Sequence, residues 1–95
     1  MINIGNNYYY DVFLEKLFFN DIFINLSKNE LILLKLLINA KGTIIDFRNI
    51  EYEIWPDKAV TNSALRTLIY RLRSKLEHKL IETIPNLGCR LKREI

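Results

Sequence analysis

Thr61-Asn62-Ser63-Ala64-Leu65-Arg66-Thr67-Leu68-Ile69-Tyr70-Arg71-Leu72-Arg73-Ser74-Lys75-Leu76 is the stretch whose pattern decides the fold. At helical steps of about 100° per residue, Leu65, Leu68, Ile69, Leu72 and Leu76 fall on one apolar stripe, which must face a core. Ser63, Thr67, Tyr70, Ser74 and His78 centre on the opposite side. Arg66 and Arg71 flank them, while Arg73 and Lys75 stand at the shoulders, near the core boundary. Thr61 or Asn62 caps a helix that this pattern carries to about residue 78. An ordinary solvated face favours Glu and Lys. Short hydroxyl side chains and arginines suit a helix lying deep in the major groove of duplex DNA, where they meet base edges and phosphates. The bland alternative is an amphipathic helix with an incidental basic surface.

Upstream, Asp46 is placed to cap a second helix over residues 47–55, with Phe47, Ile50 and Ile54 on one face. Pro56-Asp57 ends it, because a residue before proline disfavours the α region. Ser27-Lys28-Asn29-Glu30 fits a capping box, and Leu31, Leu34 and Ile38, with Leu33 and Leu37 alongside, carry a helix over residues 28–40. Gly42 marks its end, and residues 43–45 form a short strand candidate. The N-terminal stretch has β character. Tyr8-Tyr9-Tyr10 and Phe18-Phe19 favour strands, Asn20-Asp21 makes a two-residue hairpin turn, and residues 2–4 add an edge strand. Downstream, residues 80–84 and 89–93 alternate apolar and polar around Pro85-Asn86-Leu87-Gly88, which gives a C-terminal hairpin. The order strands, helix, strand, helix, helix, hairpin is that of an α+β winged helix-turn-helix with one domain over residues 1–95.

Charge follows the same division. Residues 1–57 carry a net charge of −3 and residues 58–95 a net charge of +6, so basic charge gathers where the long helix and the hairpin lie. This asymmetry suits a polyanionic partner, and equally an asymmetric solvated surface. Cys89 and His78 are the single Cys and His, which excludes an internal disulfide and a cysteine-based zinc site. No cofactor is expected. Paired carboxylates, a Cys/His dyad, a phosphate loop and metal-ligand spacing are all missing from the sequence, so it does not read as an enzyme. Residues 1–6 do not have the pattern of a signal peptide, and the greasiest stretch, residues 31–38, is interrupted by Lys35 and too short to span a bilayer. A cytoplasmic protein without a membrane partner is expected.

Three further positions keep two readings each. Trp55 ends an apolar helix face and suits core packing, while its indole N–H is also suited to a phosphate. Arg90 and Lys92 share one face of the last strand, with Arg93 beyond them, where they serve a phosphate backbone or solubility alone.

With these residues in place, the chain resembles the DNA-binding effector domain of the OmpR/PhoB class of two-component response regulators. The resemblance rests on residues 26–30, on Ile54-Trp55, on residues 61–76, on Ile81-Glu82-Thr83-Ile84 and on Gly88-Cys89-Arg90-Leu91, in order and with the expected gaps. It implies a four-stranded N-terminal antiparallel sheet, three helices with the third in the major groove, and a C-terminal β-hairpin wing on the DNA backbone. The positions matching the family's base and phosphate contacts are Ser63, Ala64, Arg66, Thr67, Tyr70, Arg71 and Arg73, with Trp55 at a phosphate and Thr83 at the wing base. Ser74 lies on the same helix face. Ala64 offers only apolar contact, for example to a thymine methyl.

The resemblance also implies binding to direct repeats as a head-to-tail pair, weak or monomeric association when free, and contact with RNA polymerase through residues 56–60. It implies a phosphorelay in which a separate receiver domain, absent from residues 1–95, controls dimerisation. Two positions depart from the family's pattern. Cys89 stands where Tyr is common, and Pro85-Asn86-Leu87 lacks the Arg that some members insert into the minor groove. A competing reading is a protein-interaction module on the same fold. Such a module would tend to carry aliphatic or acidic side chains at positions 63, 67, 70 and 71, where the sequence has Ser, Thr, Tyr and Arg.

Overall fold

Two asparagine-rich turns build the first sheet. In the computed structural model, which describes residues 1–92, Asn6 and Asn7 have φ of 48° and 67°, and Asn20 and Asp21 have 47° and 67°. Consecutive positive φ at both central residues is the type I′ turn, whose twist matches that of paired strands. These turns join β1 (Ile2–Gly5) to β2 (Tyr8–Asp11) and β3 (Lys16–Phe19) to β4 (Ile22–Ile24), giving an antiparallel sheet in the order β1-β2-β3-β4. Ile4, Tyr8, Tyr10 and Leu17 are buried, while Tyr9, Phe18 and Phe23 pair across the outer face.

α1 (Lys28–Asn39) starts at the expected capping box. The Ser27 side chain accepts from the Glu30 N–H at 3.2 Å, and Glu30 Oε1 accepts from the Ser27 N–H at 2.8 Å. Leu33, Leu34 and Leu37 are fully enclosed, and Ile38 is buried beside them. The helix stops because Lys41, at φ 52°, takes the left-handed position and its N–H bonds to Ile38 O, with Gly42 following at φ 87°.

The strand expected at residues 43–45 is instead β5 (Ile45–Asp46). Thr43 is held in the preceding turn, where both its N–H and its hydroxyl donate to Ala40 O. Asp46 then caps α2 (Phe47–Ile54) by accepting from the Asn49 N–H at 2.8 Å. Trp55, expected in the helix, is its C-cap at φ −129° and ψ 66°, outside the α region, as the following Pro56 requires.

α3 (Asn62–Lys75) carries the leucine stripe. Leu65, Leu68, Ile69 and Leu72 are buried on it, and Leu76 is buried at the C-cap. It ends three residues before the expected 78. His78 N–H bonds to Arg73 O at 2.7 Å and Glu77 N–H to Ser74 O at 3.1 Å, the two bonds of a Schellman motif. Glu77, at φ 58°, occupies the position usually held by glycine.

β6 (Ile81–Ile84) and β7 (Gly88–Leu91) form the hairpin, with β7 central in a second sheet of order β5-β7-β6. Leu80, expected at the start of the first strand, precedes it, and Gly88 opens the second. Arg93 lies outside the described residues. Leu87 N–H bonds to Ile84 O across Pro85 and Asn86, with Asn86 at φ 63°. That sequence, with Pro at the second and positive φ at the third position, fits a type II turn. Gly88 sits so close to β5 that an added Cβ would lie 1.9 Å from Ile45 O. The wing is therefore locked to the strand that precedes α2.

Candidate nucleic-acid interface

The surface of α3 follows from the burial of its stripe. With the leucines in the core, Ser63, Arg66, Thr67, Tyr70, Arg71 and Ser74 are all exposed, and Ala64 is half-buried among them. From residue 58 to residue 76 the chain has no acidic residue, so nothing on this helix repels a phosphate. Thr61 fixes the first turn, its hydroxyl accepting from the Ala64 N–H at 3.2 Å. Arg73 and Lys75 lie in the last turn, where cations meet the negative end of the helix dipole.

Two clefts border this face. One is lined by Trp55, the start of α1 at Ser27 and Asn29, and by Ser63, Ala64, Thr67 and Arg71 of α3. Trp55 packs partly against the core while lining the cleft, so both of its readings fit one position. The other cleft lies between α3 and the wing, with Arg66 and Asn62 on one side and Thr83, Pro85 and Asn86 on the other. Thr83 pairs across the hairpin with buried Cys89, which turns it toward α3. The structure thus brings Ser63, Ala64, Arg66, Thr67, Tyr70, Arg71, Ser74, Trp55 and Thr83 to one side of the molecule.

Three expected contact residues sit differently. Arg90 lies directly opposite Glu82 in the hairpin, and its Nε donates to Glu82 Oε1 at 2.6 Å. It is on the sheet face turned away from Cys89 and Leu91, and Lys92, exposed at the end of β7, continues that face. Arg73 is half-buried, and its Nε is enclosed with no hydrogen-bond partner. Its stem covers core while its outer nitrogens remain for solvent or ligand.

Lys75 is used elsewhere. Its Nζ donates to Glu30 Oε1 at 2.5 Å and to Asn25 O at 2.9 Å. Burial pushes the Glu30 carboxyl up, but the bonds from Lys75 and Ser27 more than offset it and hold the group below the usual carboxylate range. From β2, the Tyr8 hydroxyl lies 3.1 Å from Lys75 O and 3.2 Å from Glu77 Oε1, and burial beside that carboxylate pushes it up to about 12. α3 is thereby anchored at its end to both α1 and the first sheet. The clefts also bring in Asn29, Asn62, Pro85 and Asn86, which the sequence offered only as capping-box, cap and wing-tip residues. Asn29 lies inside the capping box and Asn62 beside the N-cap, so their local roles mask their place on the surface.

The model of the family "Transcriptional regulatory protein, C terminal" matches residues 21–91, from the turn between β3 and β4 to the last strand. The chain belongs to this family. Its fold is the winged helix of OmpR/PhoB-class DNA-binding domains. The transcriptional regulator HilA of Salmonella typhimurium is 32% identical over an alignment of 76 residues that covers 76% of this chain and 14% of HilA, so the chain spans a small part of that curated relative. The DNA-binding domain of CssR from Bacillus subtilis superposes with a TM-score of 0.80 at 30% identity, covering 90% of this chain and 99% of that one. The RstA DNA-binding domain of Klebsiella pneumoniae, solved with the RstA box, superposes with a TM-score of 0.79 at 21% identity, covering 95% and 94% of the two chains.

Family and fold are those of the DNA-binding domains of transcription regulators, and not of enzymes. Among the described residues, no helix is long and apolar enough to cross a membrane.

Proposed function

We propose that residues 1–95 are a single effector domain that binds double-stranded DNA by sequence, as the cytoplasmic output domain of a two-component response regulator. The observation that carries this reading is the acid-free, exposed face of α3, made of Ser63, Arg66, Thr67, Tyr70, Arg71 and Ser74 and held rigid by the buried leucine stripe. In this mechanism α3 enters the major groove. Arg66 and Arg71 give bidentate bonds to guanine, the hydroxyls of Ser63 and Thr67 reach base edges, and Ala64 packs on a thymine methyl. Trp55, Arg73 and Thr83 position the helix on phosphates, and Arg90 and Lys92 bring the wing to the backbone. Arg90 does so through its terminal guanidinium nitrogens, with Nε remaining on Glu82.

Two domains bind head to tail on direct repeats, and each alone associates weakly. Residues 56–60, exposed except for Val60, form the loop that meets RNA polymerase. Phosphorylation of a receiver domain raises affinity by bringing two effector domains together, through effective concentration.

Selection of bound sites from random duplex DNA tests the proposal. The expected result is a tandem motif with half-sites about one helical turn apart. No enrichment over a scrambled control would overturn it in favour of a protein-interaction module.

A further inference from the structure

The row of side chains on the exposed face of α3 continues past the end of the helix. Beyond Lys75 the Schellman motif folds the chain back, and Glu77 and His78 both take positive φ, 58° and 56°. This seats His78 on the last turns of the same face. Its Nε2 lies 3.2 Å from Ser74 Oγ, and its ring centroid is 5.5 Å from that of Tyr70. All three side chains are exposed. With Nε2 occupied by Ser74, Nδ1 is the remaining donor of an imidazolium, and among the described residues it has no partner.

Length decides what this cluster would meet. The 14 residues of α3 span about 21 Å at the helical rise, whereas the major groove is about 12 Å wide. If α3 enters across the groove with its first turns on the bases, its last turn lies over the flanking sugar–phosphate backbone.

The charged groups around the cluster are otherwise engaged. Lys75 is turned to Glu30, and Arg73 is half-buried. Glu77 accepts from Tyr8 of β2 and lies 3.6 Å from Lys79 Nζ. Tyr8, held as a neutral phenol, does not titrate near neutrality. Arg71, beside Tyr70, adds a fixed positive charge.

We propose that His78, seated on Ser74 and Tyr70, binds a DNA backbone phosphate as an imidazolium and makes duplex affinity depend on pH. The proposal rests on the reading of α3 as the DNA-facing helix. A protonated imidazole carries a charge to the phosphate that the neutral ring lacks, and His78 is the single histidine, so affinity is expected to be lower once the ring loses its proton. In the contact, Nε2–H donates to Ser74 Oγ, which holds the ring in place, and Nδ1–H donates to the phosphate.

The test is the salt dependence of binding to a labelled duplex carrying the most enriched selected site, at about pH 5.5 and about pH 8. The slope of log affinity against log salt should be steeper by about one ion at the lower pH. Affinity at fixed salt should be higher there by up to roughly fivefold, the upper range of one exposed ion pair. His78→Asn keeps a residue at ease in the left-handed region and removes the titration, so both differences should vanish, which also separates the imidazole from the terminal amine. His78→Lys should restore the steeper slope at both pH values. Tight binding with one slope at both pH values would overturn the role of His78 alone. Absence of any selected site or duplex binding would overturn the reading of α3 and this inference with it.

Discussion

Arg71 and Lys92 stand for the two kinds of basic side chain on this surface. Arg71 projects from the middle of α3 into the cleft shared with Trp55 and Thr67, where a base edge would be read. Arg71→Ala should therefore weaken binding to the preferred site by about 1–3 kcal/mol and relax specificity at one position. Titration against the preferred and a mutated duplex measures this, and unchanged affinity for both would remove Arg71 from that role. Lys92 is exposed at the end of β7, where a charge would meet the backbone without reading sequence. Lys92→Ala should lower the salt slope by about one ion and affect all sequences alike, and an unaltered slope would count against the contact. Arg90 has a partner that its residue type does not announce. An arginine on a wing suggests a phosphate, but in the hairpin register it faces Glu82 at 2.6 Å. An exposed pair of this kind contributes little stability, and the terminal nitrogens of Arg90 remain for a phosphate.

At the scale of the element, what could be read in advance was set by local chemistry. The starts of all three helices were legible because Ser27, Asp46 and Thr61 each cap through their own side chain. The faces were legible because a leucine stripe has the period of a helix. The end of α3 was not, since the left-handed position that glycine would announce is filled by Glu77, and Tyr8, distant in sequence, bonds to it. β5 was misplaced for a similar reason, because Thr43 prefers its hydrogen bonds to Ala40. The exposed face that makes up the candidate site was legible on the helix and less so on the wing, where the pairing partner decides which charges are free.

Leu72 is fully enclosed beneath α3, and Leu72→Ala should cost about 2–5 kcal/mol in denaturant unfolding. A wild-type transition would overturn the orientation of the helix. The join between α1 and α3 carries a pH dependence. Glu30 is held below the usual carboxylate range, so its contribution is complete above the unfolded value and is lost as pH falls through the folded one. Glu30→Gln should destabilise the protein at neutral pH and flatten that part of the acid limb of the stability curve. An acid limb identical to wild type would show that the Lys75 pair has no energetic role.

For the whole molecule, the arrangement separates labour between two sheets. The first sheet and α1 fix the end of α3 through Tyr8, Glu30 and Lys75, and the second fixes the wing beside its start through Gly88 and β5. Charge follows this division, with the acidic half in the scaffold and the basic half on α3 and the wing. The central strand of the second sheet holds one thiol, Cys89, fully enclosed and pushed up by burial to about 11. A thiol in that state does not react in the closed protein. It becomes alkylatable when β7 parts from β5 and β6, which makes it an intrinsic clock for opening of the wing. Its labelling rate, compared with that of the unfolded chain, gives the free energy of that opening. Duplex DNA bound across α3 and the wing should slow labelling in proportion to occupancy. Labelling as fast in the native protein as in denaturant would mean that the second sheet does not stay closed.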